Sequence, residues 1–199
     1  RKGKLNLTQI IRSNDLHLGL FGINVWEFSV IQEVLAGWLG CDIGKSDFVS
    51  NSLHIYTDKQ TQKLTHSVLS HRKTFDVYKY VKPLDARLPK AKFDKVLKII
   101  MDDENNMRRG LLLPPSDFKL LNLLPFWLSL WKVLRVWTLR KLNQEENALS
   151  LALTIEAPDI RIAVLEYMYR NTKNSLIYAP LKKINLPEPV KNYILGRIR

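Results

Sequence analysis

One cysteine, Cys41, is all that this 199-residue chain holds. A lone thiol excludes an internal disulfide framework and any multi-cysteine zinc site, and it fits a reducing compartment, with the cytoplasm as the expected location. Signatures that spacing alone would reveal are missing as well: there is no phosphate-binding GxxxxGK[ST] loop, no dinucleotide glycine fingerprint, no HExxH and no GxSxG. His17, His54, His66 and His71 have no carboxylates at a metal-ligand spacing, so no metal site is expected. No secretory signal is visible. The most apolar run, LLNLLPFWLSLW, is interrupted by Pro125, followed by Lys132 and Arg135, and too short to span a bilayer.

Acidic residues are scarce: 19 against 31 lysines and arginines, which gives a net charge of +12 and a pI near 9.8. That balance favours an anionic partner such as a nucleotide, a polyphosphate, nucleic acid or a membrane surface; its bland alternative is an aid to solubility. With 46% hydrophobic residues the chain can bury one full core. No internal repeat or low-complexity tract interrupts it.

Leu5, Leu7 and Ile11 alternate with more polar positions, which predicts a half-buried strand ending at Arg12. After the turn LGLFGIN, the segment NVWEFSVIQEVLAGWLG puts Phe28, Ile31, Leu35 and Trp38 at helical spacing, with Asn24 placed to cap it. A second strand is expected in DFVSNSLHIY, with Val49, Leu53 and Ile55 on the packed side and Ser50, Ser52, His54 and Tyr56 on the other. Beyond Tyr56 the pattern predicts a polar helix, a loop at KPLDARLPK, and a helix with Phe93, Val96, Leu97 and Ile100 on one side. Ser116 or Asp117 then caps a helical run to Arg170, interrupted at Pro125, near Asn143 and at Pro158, before a basic proline-containing tail. Trp127, Trp131 and Trp137 beside Lys132, Arg135 and Arg140 fit either a membrane-surface helix or, more commonly, a core helix.

The chemistry-bearing residues crowd the end of the first strand, in RSNDLHLGL. Arg12 offers a bidentate fork and Ser13 a hydroxyl, a pair that can grip a phosphate; a salt bridge from Arg12 to Asp15 is the structural alternative. Asn24 carries an amide donor beside a carbonyl acceptor, the pattern needed to read a pyrimidine edge, or it simply caps the helix. His54 and Tyr56, two apart on one strand, share a face and can hold a sugar hydroxyl or form a satisfied polar pair.

The order of these features, RSxD, a glycine turn, an asparagine at a helix start, an apolar helix and then SLHIY, resembles the thymidylate synthase family over roughly residues 3–58. The resemblance implies that Arg12 and Ser13 hold the nucleotide phosphate, Asn24 reads the pyrimidine, and His54 with Tyr56 holds the deoxyribose. It further implies that Asp15 organises the pyrimidine and folate side of the pocket as the catalytic residue, and that Gly19 lets backbone approach the base. The turn before Asn24 is one residue longer than in the familiar synthases. The family nucleophile is a cysteine upstream of the RSxD arginine, and only eleven residues precede Arg12, so it is expected on a segment upstream of this chain. Cys41, at the end of an apolar helix, reads as a structural thiol. The C-terminal two-thirds are similar to a divergent, helix-ended branch.

These readings give an α+β fold: an incomplete nucleotide-binding core over 1–58, a helical region packed on it over 59–173, and a basic tail over 174–199. The function implied is transfer of a one-carbon unit from 5,10-methylenetetrahydrofolate to C5 of dUMP. A pyrimidine nucleotide hydroxymethylase of the same fold, and a non-catalytic nucleotide-binding or interaction protein lacking the nucleophile, are the alternatives. The partners implied are dUMP and either a second copy, as a homodimer, or the N-terminal segment that carries the cysteine. Neither DNA binding nor membrane contact is expected.

Overall fold

A computed structural model describes residues 3–70, 75–171 and 186–196 and has an α+β fold. Chain contacts divide it into two compact units, residues 1–74 with 85–93, and residues 75–84 with 94–199.

The first unit is built on a β-α-β element. Strand β1 (Lys4–Ile11) runs parallel to β3 (Asp42–Ser50), and helix α1 (Val25–Leu39) connects them. Between β1 and α1 lie the two-residue strand β2 (Asn14–Asp15) and a wide helical stretch, Leu16–Asn24, kinked at Gly22. Strand β4 (Leu53–His54) pairs with β2, again in parallel. Helix α2 (Lys59–Ser70) follows, its first turn capped by Asp58, whose carboxylate accepts from the Gln60 and Thr61 amides.

Polar groups occupy much of this unit's interior. The register of β1 on β3 shifts between Leu5 and Leu7. Buried Gln32 of α1 closes the irregularity, donating from Nε2 to the carbonyls of Leu5 (2.8 Å) and Lys45 (3.0 Å). Such pairing is what lets a buried carboxamide persist in a core. Asn6 accepts from the Lys45 amide on the same strand pair.

Two expected faces are corrected here. In α1 the buried residues are Gln32, Val34 and Ala36, while Ile31 and Trp38 are exposed. The reason is that α1 is gripped on two sides: Phe28 meets Phe48 of β3 edge-on, and Gly37 lies against the backbone of Arg87 and Leu88. On the second strand, Val49, Leu53 and Ile55 are exposed while Phe48, Ser50 and His54 are half-buried, Phe48 meeting Phe28 of α1. The strand also breaks at Asn51 and Ser52, so Tyr56 lies beyond β4.

The second unit is helical. It contains α3 (Lys90–Arg108) from Asp94 onward, then α4 (Phe118–Asn122), α5 (Pro125–Lys141), α6 (Glu145–Leu153), α7 (Pro158–Asn171) and α8 (Glu188–Gly196). Asp117 caps α4 by accepting from the Leu120 amide, and Pro125 and Pro158 open α5 and α7, where a missing N–H costs nothing. Val136 and Leu139 of α5, Ala148 and Ala152 of α6, and Leu165 and Met168 of α7 share one core with Val190 of α8. Trp127 and Trp131 are buried, as a core helix requires, while Trp137 is exposed. Lys132, also buried, pairs with the Glu156 carboxylate at 2.7 Å and donates to the Thr154 carbonyl at 2.6 Å. Among the described residues no helix is long and apolar enough to cross a membrane. Of the basic tail, 174–185 and 197–199 lie outside the described residues; the part within them includes α8.

Candidate functional site

The short pairing of β2 with β4 assembles the site. Asn14 stands opposite Leu53 and Asp15 opposite His54, and the Asn14 amide donates to the Ser52 carbonyl at 2.8 Å. This brings the end of the RSxD stretch against SLHIY, so residues some forty positions apart become neighbours. Ser13 Oγ lies 3.5 Å from His54 Nδ1, and the His54 and Tyr56 rings meet edge to face at 5.0 Å. Ser13 and Tyr56 are exposed and His54 is half-buried, so the three polar groups border open solvent.

Arg12 is exposed at the strand end and has no ion-pair partner among the described residues, so the salt bridge to Asp15 is not formed. An exposed guanidinium at the strand end, with no carboxylate neutralising it among the described residues, can take up an anion.

Asn24 joins a second group. It has helical backbone angles (φ −64°, ψ −43°) and makes no side-chain cap, which corrects the capping alternative. Its Nδ2 donates to Asn14 Oδ1 at 2.9 Å. Gly19 completes this group: a Cβ there would overlap Asn14 Oδ1 and stand 3.4 Å from Asn24 Nδ2. The space that the glycine leaves is therefore filled by the asparagine pair. Successive residues of a strand point to opposite sides, so Asn14 with its partner Asn24 and Asp15 with its neighbour His54 occupy the two sides of β2.

Sequence reasoning passed over Asn14, the variable residue of RSxD, and His17. His17 Nε2 and Thr65 Oγ1 lie 2.8 Å apart, which ties the Leu16–Asn24 stretch to α2. Strand alternation is the signal that sets Asn14 apart from Ser13 and Asp15. Nothing in the sequence announces the His17 contact, which depends on where α2 returns. Cys41 is half-buried just past α1, its amide donating to the Ala36 carbonyl. Among the described residues no group of three or more histidine, cysteine or carboxylate side chains is placed to hold a metal.

Part of this chain is similar to known enzymes. Over 68 residues, 34% of this chain and 18% of the relative, it is 46% identical to the deoxyuridylate hydroxymethyltransferase of Bacillus phage SP01. Over 57 residues, 29% of this chain and 20% of the relative, it is 40% identical to the thymidylate synthase of Bacillus licheniformis. The chain thus spans about a fifth of the length of these curated relatives. No family model and no solved structure matches it. These partial relatives support the thymidylate synthase family and, with it, one-carbon transfer enzymes.

Proposed function

We propose that residues 1–58 carry the nucleotide-gripping part of an enzyme that transfers a one-carbon unit to C5 of dUMP. The observation that carries this reading is the pairing of β2 with β4, which sets Asp15 opposite His54 and Ser13 Oγ 3.5 Å from the His54 ring. In this reading Arg12 and Ser13 take the phosphate, and His54 with Tyr56 takes the deoxyribose. Asn24, with Gly19 giving room to its partner, reads the uracil edge.

The one-carbon donor implied is 5,10-methylenetetrahydrofolate, which supplies the carbon that becomes bonded to C5. Of this chain's residues, Asp15, half-buried and in register with His54, is the one proposed to face it. The attacking thiolate of such a reaction is proposed to come from a segment outside this sequence. Cys41 follows α1 at the far end from Asn24, tied by its amide to the helix C-terminus. A homodimer is part of the same proposal.

The 46% identity to a deoxyuridylate hydroxymethyltransferase favours a second version, in which the product carries a hydroxymethyl group. Product mass after incubation of the chain, together with the segment that supplies the thiolate, with dUMP and methylenetetrahydrofolate separates methyl from hydroxymethyl transfer. The nucleotide reading itself is tested by calorimetry of the chain with dUMP and with deoxyuridine. A phosphate gripped by a free guanidinium contributes about 1.5–3 kcal/mol, so dUMP binds roughly tenfold or more tighter. Equal affinities for the two would overturn the assignment of Arg12 and Ser13.

A further inference from the structure

An asparagine reads a pyrimidine edge only if its amide faces one way. A half-turn about the last side-chain bond exchanges the acceptor Oδ1 with the donor Nδ2 at almost no change in shape. In one orientation the amide matches uracil, whose ring N3–H donates while O4 accepts. In the other it matches cytosine, whose N3 accepts while the 4-amino group donates. Discrimination between the two bases therefore depends on what holds the amide.

In this chain the holder is Asn14. Its Oδ1 accepts from Asn24 Nδ2 at 2.9 Å, and its side chain is only 2% exposed. Its backbone is fixed by the register with Leu53 and by the 2.8 Å bond to the Ser52 carbonyl. Gly19 presses on the pair from the third side, where any Cβ would displace Asn14 Oδ1. Asn24 Oδ1 takes no hydrogen bond from the described residues, which leaves it to accept from a ligand. Asn14 Nδ2 has no partner among the described residues, so the bond to Asn24 is the one that sets the Asn14 amide, and a carboxylate at position 14, which can only accept, tests the orientation of the pair.

We propose that Asn14 is a positioning residue that commits Asn24 Nδ2 to itself, leaves Asn24 Oδ1 to accept from ring N3–H, and so sets uracil over cytosine. This rests on the pyrimidine reading given above. The half-turned amide is excluded as long as residue 14 presents an acceptor to Asn24. An isosteric apolar side chain removes that constraint, whereas a carboxylate, which can only accept, preserves it.

The experiment measures dUMP and dCMP affinity by calorimetry for the unmutated chain, Asn14→Leu and Asn14→Asp, with side-chain amide NMR of Asn24 alongside. In the unmutated chain dUMP is preferred, and one of the two Asn24 amide protons exchanges more slowly than the other. Asn14→Leu equalises the two protons and reduces the preference for dUMP by about tenfold, whereas Asn14→Asp retains both features. A folded Asn14→Leu protein with undiminished preference, or an Asn14→Asp protein that prefers dCMP, overturns this inference and leaves the nucleotide site standing. Failure of the unmutated chain to bind either nucleotide overturns the nucleotide reading and the specificity role together. Should the variants not fold, equal exchange of the two Asn24 protons in the unmutated chain is sufficient to overturn the hold by Asn14.

Discussion

Ser13 Oγ stands 3.5 Å from His54 Nδ1, a contact made across 41 positions of the chain. That distance is longer than an ordinary hydrogen bond between a hydroxyl and a ring nitrogen, so the two groups are neighbours and not a closed pair. Each keeps hydrogen-bonding capacity for something else. The contact exists because β2 and β4, only two residues each, pair in parallel.

Within the same unit the 85–89 loop comes close to α1 at Gly37. Gly37→Ala would place a Cβ 2.6 Å from the Leu88 nitrogen and 2.7 Å from its carbonyl oxygen. Alanine inside a helix is ordinarily worth about 1 kcal/mol over glycine, but here backbone must move, and overpacking of that kind costs about 1–3 kcal/mol. Denaturant unfolding should therefore find Gly37→Ala less stable than the parent; an increase in stability would contradict the close approach.

Gln32 secures the other side of α1. Gln32→Leu keeps the volume roughly constant but removes the donor shared by the Leu5 and Lys45 carbonyls. Stripping a partner from buried polar groups costs about 1–3 kcal/mol, so unfolding at correspondingly lower denaturant is expected. A Gln32→Leu protein as stable as the parent would mean that these carbonyls find water instead.

The strand of Leu5, Leu7 and Ile11, the α1 helix and the polar character of α2 were legible in the sequence because hydrophobic period and end signals are local. The buried sides of α1 and β3 were not. They depend on which elements come to lie against them, and the decisive residue in α1 is Gln32, a polar side chain that no hydrophobic pattern selects. The candidate site was legible in part. Its residue types could be picked out, but the separation into Ser13–His54–Tyr56 and Asn14–Gly19–Asn24 follows from strand alternation at Asn14 and Asp15, which only the β2–β4 register reveals.

The cap of α2 makes a pH prediction. Asp58 is held below the usual aspartate value of 3.8, chiefly by the Thr61 hydroxyl and then by the Thr61 amide. A carboxyl lowered on folding contributes stability above its unfolded value and loses it as pH falls through its folded one. The first turn of α2 is thus capped at neutral pH and released in acid. An NMR titration following the Thr61 amide should give a midpoint below 3.8, and a midpoint at or above 3.8 would contradict the cap.

In the helical unit, Trp131 Nε1 donates to Asp103 Oδ2 at 2.7 Å, and Asp103 is 2% exposed. Trp131→Phe keeps an aromatic ring in place while removing that donor from a buried carboxylate. A loss of about 1–3 kcal/mol is expected in thermal or chemical unfolding. No loss would show that Arg135, 3.7 Å from the same oxygen, compensates fully.

The strand end at Arg12 is proposed to hold the phosphate of a pyrimidine nucleotide. Arg12 is exposed and has no ion-pair partner among the described residues, so Arg12→Ala should leave folding nearly untouched and act on the ligand. The measurement is calorimetric titration of dUMP into the parent chain and into Arg12→Ala, each with its melting temperature recorded. The predicted result is an affinity lower by roughly tenfold or more, the equivalent of one charge-assisted contact, at an unchanged melting temperature. Unchanged dUMP affinity in a folded Arg12→Ala chain would contradict the account.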